Sequence, residues 1–356
     1  MTGAPTPKAP GVRIAVVGCG AIGSLYAAHL ARGPGVEVWT VDPWVEHVDA
    51  MESRGLRVTG LADFTATVHA RTDGRDLPAC DFGLVATKAQ HTREAVAGAR
   101  AALADAAVVS VQNGLGNEEV IAGLVPRVIR GSIVTAGAIV APGVVRYDAP
   151  GDSWFGPFEP RPAAMSEVAE LARLLTEGGL RTHALPDARG PQWTKVIFNA
   201  ATSPLAALTG LSVGRVCTDA GLRAQVGGLI AEAVAVCEQA GIVLTRPPRE
   251  AVDEAIAEAY DHKPSMLQDV LARRATEIDV LNGGIAAEGR RAGVPTPLHD
   301  CMVALVKGLE RSWAGLAGDG CGLPVPSSDP PPGIVPNSRH RPHGQPRRDH
   351  VIYRKL

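Results

Sequence analysis

The chain has 356 residues, enough for two domains, and its 46% hydrophobic and 20% charged residues are ordinary for a folded globular protein. A formal net charge of −2 provides no electrostatic footprint for nucleic acid or for an anionic membrane surface. The first eleven residues lack the apolar core of a secretory signal, and no run approaches the roughly 18 apolar residues of a membrane span. Six cysteines with no Cys-x-x-Cys pair are typical of reduced thiols and not of a zinc site. We therefore expect a cytoplasmic protein that binds neither nucleic acid nor a membrane.

The first half of the chain alternates between strand-like and helix-like patterns. Residues 1–11 are polar and rich in Pro and Gly, which predicts a disordered leader. Short apolar runs then predict strands at residues 12–17, 36–41, 84–87, 108–112, 129–135, 144–147, 153–156 and 182–185. Helical patterns fall at residues 21–32, 91–103, 118–124 and 165–177. This alternation predicts an α/β domain with a doubly wound parallel sheet over residues 12–186.

From residue 187 onward the pattern is helical only. Helices are predicted at residues 192–208, 219–240, 248–260, 264–292 and 297–313. We therefore expect an all-helical second domain over residues 187–315. Residues 316–356 are rich in Pro, Gly and Arg, a composition that predicts a disordered, solvated tail.

A glycine-rich loop follows the first predicted strand and opens the first predicted helix. Its sequence, Gly18-Cys19-Gly20-Ala21-Ile22-Gly23, has the G-x-G-x-x-G spacing of a dinucleotide-binding loop. The first glycine permits a tight turn, the second lets backbone amides approach a pyrophosphate, and the third allows helix and strand to pack closely. The helix N-terminus adds unpaired N–H groups and a positive dipole end. This context predicts a nicotinamide dinucleotide site, with a purely structural glycine turn as the alternative.

Asp42 ends the second predicted strand, about 20 residues after the loop. A carboxylate at this position accepts hydrogen bonds from the adenosine ribose hydroxyls and repels a 2′-phosphate. No arginine adjoins it, since Pro43-Trp44-Val45 follow. Asp42 therefore favours NADH over NADPH. The alternative is that Asp42 caps a helix that begins near Pro43.

Lys195, Asn199 and Ser203 have the spacing i, i+4, i+8, which places them on one face of a helix. The residues between them are mostly apolar, so this helix is predicted to be buried, and its lysine and asparagine need partners or a water-lined cleft. A partly desolvated lysine beside a substrate is a suitable proton donor. The alternative is a lysine that extends to the surface.

Ser265 and Glu277 have simpler interpretations when they are considered in isolation. Ser265 with Gln268 fits a helix-capping box. Glu277 fits an ion pair with Arg273, four residues earlier on the same predicted helix.

Taken together, these segments resemble the ketopantoate reductase (2-dehydropantoate 2-reductase) family over roughly residues 12–310. The motifs that carry the resemblance are the loop at 18–24, Thr87-Lys88-Ala89, Gln112-Asn113-Gly114-Leu115-Gly116, the helix at 193–210, residues 264–269, Thr276-Glu277-Ile278-Asp279, Asn282-Gly283 and Gly293-Val294-Pro295-Thr296-Pro297. The loop occurs in many dehydrogenases, whereas the ordered combination of the other motifs is specific. The resemblance implies a Rossmann domain joined to a helical domain like the C-terminal domain of 6-phosphogluconate dehydrogenase, with the active site in the cleft between them.

The resemblance also implies roles for individual residues. The family's catalytic lysine falls on Lys195 and its catalytic glutamate on Glu277. Asn113 would contact the substrate near the nicotinamide, and Lys88 would lie beside cofactor and substrate. The other substrate-binding positions fall on Asn199, Ser203 and Ser265.

Several positions depart from the family's pattern. Asparagines that are common in the family fall on Ser203, Val213 and His262 in this chain. Members that use NADPH carry a basic residue near the position of Asp42. The resemblance therefore implies NADPH while Asp42 favours NADH, and the substrate-fitting residues have changed around an intact lysine–glutamate pair.

These observations predict an NAD(P)H-dependent enzyme that reduces ketopantoate, or a closely related 2-oxo acid, to the 2-hydroxy acid. The hydride would reach C2, and Lys195 would donate the proton. The first alternative is an NAD-dependent D-2-hydroxyacid dehydrogenase on the same fold, and the second is a nucleotide-sensing protein without turnover. The sequence leaves the oligomeric state open, a homodimer included.

Overall fold

The structure, a computed structural model, describes residues 11–315. The predicted leader up to residue 10 and the predicted tail over 316–356 lie outside the described residues. All strands described precede residue 185, and the regular elements described from residue 189 onward are helices. The expected combination of a Rossmann-like sheet with a helical C-terminal half is confirmed.

The main sheet has eight strands in the order β12-β11-β8-β7-β6-β1-β2-β5. Their bounds are β1 Val12–Val17, β2 Val36–Val41, β5 His69–Arg71, β6 Phe82–Val85, β7 Ala107–Ser110, β8 Arg127–Ile133, β11 Ser153–Pro157 and β12 Thr182–Ala184. Six neighbouring strands, from β8 to β5, run parallel. The predicted strands at 12–17 and 36–41 have the observed bounds.

The sheet is not parallel throughout. β11 pairs antiparallel with β8, and β12 follows the direction of β11. The chain goes from β8 to β11 without a crossover helix, and parallel neighbours need such a crossover whereas antiparallel ones do not. The prediction of a parallel sheet is therefore wrong for this edge.

A second, four-stranded sheet was not predicted. It has the order β4-β3-β10-β9, formed by β3 Leu56–Gly60, β4 Phe64–Ala66, β9 Ala136–Ala141 and β10 Val144–Ala149. Only β10 was expected from the sequence. This small sheet packs on the helix that follows the glycine loop.

In the described part of the first half, five α-helices flank the strands: α1 Ala21–Leu30, α2 Val45–Arg54, α3 Thr92–Gly98, α4 Asn117–Ala122 and α5 Met165–Gly178. Side chains alternate across the main sheet. Ile14 and Val16 pack in the cluster that holds α1 and α5, whereas Ala15 and Val17 pack in the cluster that holds α3 and α4. Helices cover both faces, as in a doubly wound fold.

Seven helices form the described part of the second half: α6 Arg189–Thr209, α7 Val213–Thr218, α8 Ala220–Gln239, α9 Pro248–Glu258, α10 Ser265–Leu271, α11 Asn282–Ala292 and α12 Pro297–Gly315. Their apolar faces share one core, and α6 contacts most of the other helices. α6 also contacts β8, so the lysine-bearing helix adjoins the main sheet.

The predicted continuous helix over 264–292 is wrong. The chain leaves helical geometry after α10 and resumes it at α11, with Arg273 at a φ of 50°. Tertiary bonds hold the break, because the Glu310 carboxylate accepts hydrogen bonds from both the N–H and the hydroxyl of Thr276. The apolar pattern alone contains no signal for this contact.

One described helix, α8, is long and apolar enough to cross a membrane by length and composition. Its buried residues, which include Val226 and Leu229, pack in the core around α6. A core helix passes the same length and composition test, so α8 is weak evidence for a span.

Candidate active site

A cleft of about 1180 Å³ lies where the carboxyl ends of the parallel strands face α6 and α10. The strand ends contribute Gly18 after β1, Asp42 after β2 and Lys88 after β6. In open α/β sheets, ligands bind outside these carboxyl ends. Residues of the helical half that line the same cleft are Lys195, Asn199, Ser203, His262, Pro264, Ser265, Gln268 and Glu277.

The glycine loop has the geometry that its spacing requires. Gly18 has a φ of 91°, a conformation that favours glycine. A Cβ on Gly23 would lie 1.9 Å from the Gly18 carbonyl oxygen, so only glycine allows this approach of helix and strand. A Cβ on Gly20 would meet no atom within 4 Å, and Gly20 lines the cleft with Ala21 and Ile22.

Two residues of the predicted loop do not line the cleft. The Cys19 side chain is buried in the core, where burial raises the pKa of its thiol well above the usual range. Gly23 packs against Gly18. Cys19 and Gly23 therefore determine the shape of the loop and do not line the cleft themselves.

Asp42 lies in the cleft with both carboxylate oxygens hydrogen-bonded to backbone amides. Oδ2 accepts from the Cys19 N–H at 2.7 Å, and Oδ1 accepts from the Trp44 N–H at 3.0 Å. The alternative role as a helix cap is wrong, because α2 begins at Val45 and its N-cap is Trp44, with no side-chain cap. The carboxylate is held in place at the strand end by these two bonds.

Lys195 extends from α6 into the cleft and not to the outer surface. Its Nζ donates a hydrogen bond of 2.8 Å to the Asn113 Oδ1. Burial lowers the pKa of the Lys195 ammonium to about 8, while the negative charge of Glu277 acts to raise it. A lysine with such a pKa exchanges its proton readily near neutral pH.

Asn113 connects the lysine to the glutamate. Its Nδ2 donates to the Glu277 Oε2 at 3.3 Å, while its Oδ1 accepts from Lys195. Glu277 itself is buried and lies in the irregular segment between α10 and α11. The predicted ion pair of Glu277 with Arg273 is not formed, since the two residues do not share a helix.

A second cation also lies beside Glu277. The Lys88 Nζ is 2.8 Å from the Asp269 Oδ2 and 3.6 Å from the Glu277 Oε2. Burial alone would lower the pKa of Lys88, but the Glu277 and Asp269 carboxylates outweigh it and raise the pKa above its ordinary value. Asp269 also pairs with Arg274 at 3.1 Å.

The role of Asp269 was not predicted from the sequence. The available signal was Lys88, because a partly buried ammonium needs a compensating charge. The partner lies 181 residues away in the chain, so no local pattern identifies it.

The predicted substrate-binding residues also lie in the cleft. Asn199 and Ser203 are on the same face of α6 as Lys195. Ser265 is the first residue of α10 and its N-cap is Pro264, so the predicted capping box is wrong; Gln268 donates instead to the Lys263 carbonyl.

The far end of the cleft is formed by residues that sequence analysis did not single out. They are Thr72, Asp73, Gly74, Arg75, His91, Glu94, Ala95 and Gly98. They lie on the loop after β5 and around α3, where no motif marks them.

Comparison with known proteins identifies relatives over almost the whole described chain. The family model described as Ketopantoate reductase PanE/ApbA matches residues 14–160, and the one described as Ketopantoate reductase PanE/ApbA C terminal matches residues 187–310. The 2-dehydropantoate 2-reductase of Pyrococcus horikoshii is 31% identical over 308 residues, which is 85% of this chain and 99% of the relative. That of Archaeoglobus fulgidus is 31% identical over 304 residues, 84% and 98% of the two chains.

Solved structures are also similar to this chain. The ketopantoate reductase of the PanE/ApbA family from Ralstonia eutropha JMP134 superposes with a TM-score of 0.76 at 30% identity, covering 85% of this chain and 100% of the other. A ternary complex of D-mandelate dehydrogenase with NADH and anilino(oxo)acetate has a TM-score of 0.76 at 25% identity, with the same coverage. The chain therefore belongs to the ketopantoate reductase family and is an oxidoreductase that acts on CH–OH groups.

Proposed function

We propose that this chain reduces 2-dehydropantoate (ketopantoate), or a closely related 2-oxo acid, to the 2-hydroxy acid with NAD(P)H. One observation carries the proposal: Lys195, from the helical half, lines the same cleft as the glycine loop of the first half. The names of the relatives support ketopantoate as the substrate.

The residues present fit a nicotinamide dinucleotide. Gly20 leaves open space beside the N-terminus of α1, where backbone N–H groups and the helix dipole favour a pyrophosphate. The cleft continues past Asp42 to the loop after β5, and on the other side to Lys195. When bound, the reduced dinucleotide supplies the hydride that adds to C2 of the substrate.

The protein's own groups handle the charge and the proton. Negative charge develops on the C2 oxygen as the hydride arrives, and the Lys195 ammonium stabilises it and then donates its proton to that oxygen. Asn113 fixes the position of Lys195, and Glu277 raises its pKa, so that the lysine carries a proton when it is needed. Asn199, Ser203 and Ser265 hold the substrate through neutral hydrogen bonds.

Replacing Lys195 tests the proposal. Lys195→Ala removes the proton donor, so we expect ketopantoate turnover to fall roughly 10²- to 10⁴-fold. Binding of the dinucleotide, measured by calorimetry, should stay near that of the wild type. Lys263→Ala, at an exposed lysine outside the cleft lining, is the matched control and should retain activity. Wild-type turnover in Lys195→Ala would remove Lys195 from this role.

Cofactor choice is tested at Asp42. We propose that its carboxylate, fixed by the Cys19 and Trp44 amides, binds the ribose hydroxyls and disfavours the 2′-phosphate of NADPH. The ratio of kcat/KM with NADH to that with NADPH should therefore fall at least roughly tenfold in Asp42→Ala, about the contribution of one charge-assisted hydrogen bond. A ratio that does not change would refute the ribose assignment.

A second candidate is a D-2-hydroxyacid dehydrogenase that uses NAD. Two observations favour it: the position of Asp42, and the structural likeness to D-mandelate dehydrogenase, which was solved with NADH. The two candidates are separated by measuring the reduction of a panel of 2-oxo acids with each of the two cofactors. The panel contains ketopantoate, phenyl-substituted 2-oxo acids and branched alkyl-substituted 2-oxo acids. The highest kcat/KM identifies the substrate class.

A further inference from the structure

A buried histidine connects the small sheet to the glycine loop. His47 is fully buried in the first turn of α2 and stacks on Trp44 at a centroid distance of 5.1 Å. Its Nδ1 accepts a hydrogen bond of 2.9 Å from the Gly143 N–H, in the turn between β9 and β10. Its Nε2 is 3.1 Å from the Ser24 hydroxyl oxygen on α1.

These contacts fix the direction of each hydrogen bond. Since Nδ1 accepts from a backbone N–H, the neutral imidazole carries its hydrogen on Nε2 and donates it to the Ser24 Oγ. The Ser24 hydroxyl in turn donates to the Cys19 carbonyl oxygen at 2.8 Å. Burial lowers the pKa of His47, although the Asp42 carboxylate acts to raise it, so the neutral form is kept at neutral pH.

The end of this relay is a peptide group of the glycine loop. In a trans peptide the C=O and the following N–H point in opposite directions. Holding the Cys19 carbonyl toward Ser24 therefore directs the Gly20 N–H to the opposite side. Gly20 lines the cleft and has open space around its Cα, which is where a pyrophosphate oxygen would approach.

We propose that His47 and Ser24 are positioning residues for the dinucleotide: through the Cys19 carbonyl they orient the Gly20 amide toward the pyrophosphate. The same loop is held from its other side, because the Cys19 N–H donates to Asp42. The relay thus couples the turn of the small sheet to the affinity for the cofactor. This inference rests on the proposed use of NAD(P)H at this loop.

The test separates cofactor affinity from turnover. Ser24→Ala removes the hydroxyl without adding volume, so we expect the Kd for NADH to rise roughly 3- to 10-fold, the effect of one lost hydrogen bond. The KM for NADH should rise in parallel, while kcat at saturating NADH stays within about twofold, since Lys195 is untouched. The same titrations are carried out with NADPH, so that the test applies whichever of the two cofactors the protein prefers.

A double-mutant cycle tests whether His47 acts through Ser24. His47→Ala should raise the Kd for NADH, but adding it to Ser24→Ala should raise the Kd little further, because the hydroxyl that it orients is already gone. Additive effects would overturn the relay. Ser24→Ala with a wild-type Kd would overturn the proposal even if His47→Ala does not fold.

Ser153→Ala is the matched control. Ser153 is a buried serine that bonds to Tyr26, another residue of α1, at 2.6 Å, and it does not line the cleft. Its removal should leave the Kd for NADH unchanged, whereas an equal rise would mean that α1 is merely loosened and would refute the positioning role. If the wild type binds neither NADH nor NADPH, the proposed function itself fails.

Discussion

Lys195 is a cation whose charge is only partly compensated in the cleft. Burial lowers its pKa to about 8, and Glu277 is the group that opposes this effect. Because only the ammonium can donate a proton, kcat/KM for 2-oxo acid reduction, which reports groups of the free enzyme, should be constant below about pH 8 and fall about tenfold per pH unit above it. Oxidation of the 2-hydroxy acid needs the free amine and should show the opposite slope. Steady-state kinetics from pH 6 to 10 measure both limbs.

Glu277→Gln checks this assignment with a readout other than the loss of activity. The substitution keeps the hydrogen bond to Asn113 available and removes the negative charge, so the pKa of Lys195 should fall. The alkaline limb of the reduction profile should therefore move to lower pH, whatever happens to the absolute rate. A limb that stays in place would mean that another group titrates.

At the scale of single residues, the sequence predicts which side chains share a helix face but not which distant side chains form a pair. The i, i+4, i+8 spacing placed Lys195, Asn199 and Ser203 on one face of a helix, and all three line the cleft. The Lys88–Asp269 pair joins distant segments, and no residue near either one indicates it. The role of Asp269 as the partner of Lys88 is visible only in the folded structure.

At the scale of elements, α6 carries Lys195, the proposed proton donor, and also an internal proline. Pro204 has no N–H, so the Ala200 carbonyl lacks its helical partner. The Asn282 Nδ2, from the start of α11, donates to that carbonyl at 3.0 Å and also bonds to the His299 Nδ1 at 3.1 Å. α11 thus completes the backbone hydrogen bonding of α6.

Removing this side chain should destabilise the helical half. Asn282→Ala leaves the Ala200 carbonyl unpaired and buried, so we expect a loss of roughly 1–3 kcal/mol in the free energy of unfolding, measured with urea. In a Pro204→Ala background the restored backbone N–H bonds to the same carbonyl, and the cost of Asn282→Ala should be smaller. If Asn282→Ala lowers the free energy of unfolding equally in the wild type and in the Pro204→Ala variant, this explanation is wrong.

Several elements that the sequence did not predict have an identifiable physical cause. β3, β4 and β5 have three to five residues each, too few for a strand periodicity to stand out. The break between α10 and α11 is held by the distant Glu310, while the apolar spacing continues through it. Where local pattern decides the structure, as at β1, the predicted and observed bounds agree.

At the scale of the whole molecule, three buried histidines link stability to pH. His29, His47 and His299 are buried, and burial lowers the pKa of each. The unfolded chain binds protons at these residues with a pKa near 6.5, whereas the folded chain does not until a lower pH. The contribution of these histidines to stability is therefore complete above about pH 6.5 and is lost as the pH drops below it.

Each histidine should contribute up to roughly 1.4 kcal/mol per pH unit below 6.5 to this loss. Glu118 acts in the opposite sense, because burial raises its pKa and its folded form takes up a proton first. We expect the three histidines together to exceed this opposing contribution, so the urea midpoint should decrease from pH 7.5 to pH 5.5. His299→Gln should make that decrease shallower, and a decrease as steep as that of the wild type would contradict the role of His299.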